Sequence, residues 1–393
     1  MPDLLPPLRL TGADILRDGR IGPGCLSLAQ GRIVEAALPQ VDMTGYLLLP
    51  GIIDLHGDGF ERQIFPRPTA PFPIRQGLIA LEREAAAHGV TTAFLAQSWS
   101  WEGGARGPDQ AEALLQALAA HRPAALVDLR VQLRAETHMV AEAGRLAAAV
   151  QHHQVGFVIF NDHLGEGFLM ARRDPGRFAH WAEKAGLTPE ALLARMEAAR
   201  AHARAVPRTL CQLATVFDRL GVVYGSHDDP DAETREFYSM IGARVAEFPT
   251  RRRAAAAARA VDDPVLMGAP NVVRGGSQAG NIAAEDLIRE GLCDALVSDY
   301  HIPALTLAAW ALVDRGVLPL ARAWAMISET PAKILRLADR GRLMPGMRAD
   351  LVAVNKETRL VEMTISGGRL AYASGAVAGR LMGQPQGMRL AAE

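Results

Sequence analysis

The spacing of apolar and polar positions changes character twice along the chain. Residues 8–49 alternate short apolar stretches with turn residues, in ILRDGRIGPG, CLSLAQGRIVEA and YLLLPG, a texture that predicts small antiparallel strands. ADLVAVNKETRLVEMTISGGRLAYASG repeats it near the other end. Two strand-rich ends predict one small β-sandwich domain built from residues 1–49 and 345–393. Between them, in residues 50–344, apolar β-type runs alternate with helical stretches, as parallel βαβ units require. The runs are LLLPGIIDLH, GVTTAFLAQ, LVDLRVQLRAE, GFVIFNDH, VVYGSHD, RVAEF, VLMGAP and DALVSDY. Eight of them, separated by Ala-rich helices such as IRQGLIALEREAAAHG and PEALLARMEAARAHARAV, predict an α/β fold, a (β/α)₈ TIM barrel. The tract RRRAAAAARA (251–260) reads as a solvated helix face.

Composition adds limits to that picture. The 393 residues exceed the roughly 250 that such a barrel needs, which leaves room for the accessory domain. A formal net charge of −1 points to neither nucleic acid nor an anionic membrane as partner. A small anionic substrate remains compatible with a neutral total, because local arginines can be hidden in it. No apolar run approaches the ~20 residues that cross a bilayer, and MPDLLPPLRL lacks a basic segment followed by an apolar one. Cys25, Cys211 and Cys293 form no CxxC pair, so a reducing, cytoplasmic location is expected.

The chemistry lies at the ends of the runs. His56 and Asp58 are two residues apart and share one side of an extended strand. Arg130, Gln132, Arg134 and Glu136 share a face, opposite Leu129, Val131 and Leu133, so Glu136 ends a polar, barrel-facing row. His163 closes GFVIFNDH, His227 falls at the end of VVYGSHD, and Asp299 follows Val297 on one parity. A single strand-end His or Asp is commonly structural, or a helix cap. Three imidazoles and three carboxylates at the C-terminal rim of one barrel are not, because that rim carries the chemistry of barrel enzymes. They suit zinc or manganese and suffice for two divalent ions. For a phosphorylated substrate, Arg274 beside Gly275, Gly276 and Ser277 offers a guanidinium fork and inward backbone N–H groups. Arg67 is a second candidate contact. Asp228 and Asp229 include a candidate carboxylate to orient His227, and Asp229 is also expected beside the substrate.

YLLLPGIIDLHGD (46–58) resembles the opening strand motif of the amidohydrolase superfamily, with His-x-Asp in place of the usual His-x-His. ERQIFPRP, AETH, FNDH, YGSHDD, VAEFPT, LMGAPNVVRGGSQAGN and SDY resemble its alkylphosphonate-utilisation branch, associated with the carbon–phosphorus lyase pathway. That resemblance implies a metal-dependent hydrolase, by default a homodimer. It would cleave ribose 1-methylphosphonate 5-triphosphate, or a related triphosphate, to the 5-phosphate and pyrophosphate. By the same resemblance His56, Asp58 and Asp299 would hold one metal and His163 and His227 the other. Glu136 would replace a bridging carboxylated lysine, and Asp299 would move the proton. His138 is a reserve ligand. Gly59, Gln278 and QSWSWEGG depart from the branch near the expected pocket, which puts the natural substrate in question. An amidase or deacetylase on the same scaffold, or a non-catalytic subunit of a phosphonate complex, are the alternative readings.

Overall fold

A computed structural model describes residues 3–67 and 70–383; residues 384–393 of the expected C-terminal domain span lie outside them. The first five strands are β1 (Leu8–Arg17), β2 (Arg20–Ala29), β3 (Arg32–Val34), β4 (Gln40–Asp42) and β5 (Tyr46–Pro50). The next eight are β6 (Ile52–Gly57), β7 (Val90–Trp99), β8 (Asp128–Glu136), β9 (Phe157–Asn161), β10 (Val223–His227), β11 (Val245–Glu247), β12 (Val265–Gly268) and β13 (Ala295–Val297). The last three are β14 (Leu351–Asn355), β15 (Val361–Ser366) and β16 (Arg369–Ala373).

Strands β6 to β13 form one eight-stranded sheet in chain order, and every neighbouring pair in it is parallel. They match the eight apolar runs. A parallel bridge between Gly57 and Asp299 brings the first and last strands together at the C-terminal rim. Gly57 is required there: a Cβ would come within 2.8 Å of both Asp54 Oδ2 and Ser298 Oγ. The barrel interior is packed by Ile53, Leu55, Phe94, Phe157, Ile159, Val245, Leu266, Ala295 and Val297.

The first run does not continue as one strand. LLLP belongs to β5 and IIDLHG to β6, with Gly51 between them. A Cβ at Gly51 would meet Thr91 Oγ1 at 2.4 Å, so only glycine lets the chain pass from one sheet to the other at that point. The outer sheet draws on both chain ends, in the order β16-β15-β14-β5-β1-β2-β3, with β4 on β1. Strand β1 pairs with β4 at Arg9–Thr11 and with β5 at Asp14–Ile15. The switch falls at a bulge that includes Gly12, whose φ is +76°. The sheet thereby encloses its own apolar core, including Leu10, Leu26, Leu48, Leu351 and Ile365. It is fastened to the barrel by Thr364 Oγ1, which donates to Ala86 O, and by Trp324 Nε1, which donates to Pro50 O.

Between β9 and β10 the chain makes a long helical excursion, Leu164–Arg173, Pro175–Lys184, Pro189–Arg200 and Val206–Leu220. The apolar faces of its first three helices pack around Trp101 from the loop after β7. In the helix Arg252–Ala260, Ala254, Ala255 and Ala258 are buried while its first two arginines face solvent, as expected for that tract. Among the described residues no helix is long and apolar enough to cross a membrane.

Candidate active site at the barrel mouth

The rim gathers side chains from most of the strands. His56 and Asp58 come from the end of β6, Glu136 ends β8 and His163 follows β9. His227 ends β10, Glu247 ends β11 and Asp299 follows β13. Asp228, Phe248 and Asp299 adopt left-handed φ values of 58°, 53° and 55°. Asp tolerates this region but Phe does so rarely, and such strain clusters where side chains must be aimed.

Glu247 organises the centre. Its Oε2 lies 2.7 Å from His227 Nδ1 and 3.0 Å from His56 Nδ1, while Gln132 Nε2 donates to Oε1 at 2.7 Å. The two imidazoles stack at 5.7 Å, and the Phe248 ring meets both edge-on. Burial opposes the charge of Glu247, but His56 and His227 overcome it and hold the carboxyl below its usual range. Glu136 does the same for His163: its Oε1 lies 2.5 Å from His163 Nδ1, and Oε2 accepts from Trp101 Nε1 at 3.2 Å. In each case a buried carboxylate fixes one ring nitrogen and turns the other towards the cavity.

Among the described residues three groupings of donors could hold an ion; one is His56, His227 and Glu247, and the other two lie wholly on the cavity wall. Of these two, the first is His56, Asp58 and Asp299 and the second is His163, His227 and Asp228; within each, the donor atoms lie within 4.8 Å of one another. The first fits a divalent cation well on its own chemistry, an imidazole with two carboxylates. Burial first, then the neighbouring charge of Asp58, pushes Asp299 up to about 6.

Several expected roles change. Glu136, expected to bridge two metals, stands behind His163 with Oε1 on its Nδ1 and belongs to none of the groupings. Asp229 is buried, accepting from Ser226 Oγ at 2.6 Å and facing Arg235; it is absent from the cavity wall, which overturns the expected substrate contact. Arg67 is exposed and also outside the wall. His138 pairs with Thr137 and Asp162 instead of the ligands. The carboxylate orienting His227 through Nδ1 is Glu247, which the sequence reading missed. Its strand is three residues long, too short for any periodicity to mark it.

A cavity of about 390 Å³ opens over these groups. Arg274, Gly276 and Ser277 line it, as does Gln278, whose Oε1 accepts from Arg274 at 3.2 Å. Another part of the wall comes from Glu102, Arg106, Glu166 and Trp181. Trp181 Nε1 donates to Glu102 at 2.5 Å and Arg195 Nη1 to Glu102 O at 2.7 Å. The departing segment QSWSWEGG therefore ties the loop after β7 to the helical excursion.

Glu247→Gln keeps the shape but removes the charge that orients two imidazoles. Its divalent-ion affinity should fall roughly 10–100-fold, measured by competition with a chromogenic chelator. Unchanged affinity would deny Glu247 that role.

An open-mouthed barrel with imidazoles and carboxylates on its C-terminal rim defines a class of hydrolases. The amidohydrolase family model matches residues 236–371, and the chain belongs to that family. Within it, the chain is 31% identical over 367 residues to the alpha-D-ribose 1-methylphosphonate 5-triphosphate diphosphatase of Escherichia coli (strain K12), covering 88% of this chain and 95% of that one. It is a hydrolase of that family. Solved structures share the fold at low identity. Dihydropyrimidinase from Brevibacillus agri gives a TM-score of 0.63 at 13% identity, over 93% of this chain and 95% of that one. N-acetylglucosamine-6-phosphate deacetylase from Pasteurella multocida gives 0.60 at 12%, over 93% and 99%.

Proposed function

We propose that the protein hydrolyses a ribose 5-triphosphate, of the kind carrying a methylphosphonate at the anomeric carbon, to the 5-phosphate and pyrophosphate. The observation that carries this reading is that Arg274, Gly276 and Ser277 line the same cavity as the His–Asp rim. A fork and a glycine-rich turn suit a polyphosphate tail. The resemblance to the Escherichia coli diphosphatase supports the same class of substrate. We place the enzyme in the cytoplasm, in keeping with three free cysteines, and take it to be a homodimer from the resemblance alone.

His56, Asp58 and Asp299 would hold a divalent ion, zinc or manganese, and His163, His227 and Asp228 are the donors available to a second. A bound ion lowers the pKa of water and polarises a phosphoryl oxygen. The remaining work falls to the chain. Asp299 accepts a proton from the attacking water and returns it towards the leaving group. Arg274 holds the terminal phosphates, so that the water meets the α-phosphorus and the α–β anhydride bond breaks. Phosphoryl transfer rests on such positioning and charge neutralisation.

Hydrolysis of a ribose 5-triphosphate in ¹⁸O-water tests this. The label is expected in the sugar monophosphate. Label in pyrophosphate would move the attack to the β-phosphorus, and amide cleavage without phosphate release would replace the reading with an amidase.

A further inference from the structure

The inward row along β8 carries Arg134 one pleat before Glu136. Arg134 is buried, lines the cavity, and has its Nη2 3.0 Å from His227 Nε2. The hydrogen positions follow from the partners. Nδ1 of His227 faces Glu247 Oε2 at 2.7 Å, and an ionised carboxylate only accepts, so Nδ1 carries the proton. Nε2 therefore presents its lone pair to a guanidinium, which only donates. Any ion shared by His163, His227 and Asp228 needs that same lone pair. Arginine and ion compete for one nitrogen.

Both buried carboxylates nearby already face imidazoles. Glu136 spends Oε1 on His163 Nδ1, while Oε2 accepts from Trp101 Nε1 and the His163 N–H. Glu247 Oε1 accepts from Gln132 Nε2 and Oε2 from His227 Nδ1, with His56 Nδ1 3.0 Å away. That leaves Asp228, with a side chain 43% exposed, as the sole anion of the second grouping. The first grouping has two, Asp58 and Asp299. Charge thus favours a cation strongly at one position and weakly at the other, where a guanidinium already stands.

We propose that Arg134 stands in for a second metal. The chain holds a single tight divalent ion, at His56, Asp58 and Asp299, and Arg134 provides the second positive charge facing the oxyanion of the substrate. Among the described residues the only hydrogen bond of Arg134 is the one through Nη2, and the side chain lines the cavity, so the fork keeps donor capacity for an incoming oxygen. The identity of that oxyanion as phosphoryl rests on the function proposed above; the ion count does not.

The test is metal analysis of the full chain, loaded with zinc or manganese and freed of loose metal by gel filtration. The wild type is expected to retain about one ion per chain, and Arg134→Gln about two, because His227 Nε2 is released. Turnover of the triphosphate should fall by roughly 10²–10³-fold in Arg134→Gln even as its ion content rises, since a fixed charge at the reacting oxygens is lost. Two ions in the wild type would overturn the proposal, as would a folded Arg134→Gln that still holds one ion. Should Arg134→Gln fail to fold, His163→Asn decides: an unchanged ion content supports the proposal and the loss of an ion refutes it. A chain with one ion that cleaves amides but no triphosphate would refute the proposed function while leaving the ion-replacing role of Arg134 intact.

Discussion

Asp299→Asn is expected to lower kcat by roughly 10²–10⁴-fold, the usual worth of a positioned general base. The substitution isolates proton transfer because little else changes. The residue sits at a φ of 55°, and Asn accepts the left-handed region as readily as Asp. Its backbone N–H donates to His56 O at 2.9 Å and its carbonyl accepts from Asp58 N at 2.8 Å, and an amide side chain disturbs neither bond. The amide oxygen can still face His56 and Asp58, but it cannot take a proton. Ion content should therefore fall less than in His56→Ala, which deletes a donor outright. Steady-state kinetics with parallel metal analysis separates the two effects. A variant with near-normal kcat would reduce Asp299 to the residue that closes the barrel.

Arg235→Met should shift the denaturation midpoint by the equivalent of about 3–5 kcal/mol, the cost of breaking a buried ion pair from one side. Arg235 is fully buried on the helix Ala232–Met240. Its Nη1 donates to Ser226 Oγ at 2.6 Å and Val245 O at 3.1 Å, and its Nη2 to Ala243 O. Asp229 and Asp263 each stand 3.5 Å from the guanidinium. Met fills similar space but leaves Asp229 buried without a cation and Asp263 with Arg244 alone, 3.6 Å away. The loss falls where it matters most, since Ser226 precedes His227 on β10 and Val245 begins the strand ending in Glu247. A chemical melt that moves by less than the equivalent of about 1 kcal/mol would show that the cluster relaxes by neutralising itself.

The barrel was legible because its signals repeat. Each strand is an apolar run, and parity put His56 with Asp58 and Glu136 at the end of an inward row. What escaped lies in pairings between distant strands. Glu247 is a single carboxylate in a three-residue strand, and its significance comes from two imidazoles on β6 and β10. Arg134 was visible in the inward row, but nothing local says that it ends on His227. Asp229, expected beside the substrate, is absent from the cavity wall. The turn at Asp228, with its φ of 58°, sends the next side chain to Arg235 instead. The site is thus readable as a set of residue types, while the division between those that face the cavity and those that stand behind is made by the fold.

The pairing of β5 with β14 bears on how the chain is made. Tyr46 lies opposite Asn355 and Pro50 opposite Leu351, so most of the polypeptide must be synthesised before β5 gains its neighbour on that side. Until then a strand of sequence YLLLP offers unpaired backbone groups and apolar side chains, an edge that invites pairing with other chains. Contacts so distant in sequence form slowly, and incomplete chains of this size expose such edges. Chains arrested before residue 351 should consequently collect in aggregates, whatever the state of their catalytic residues.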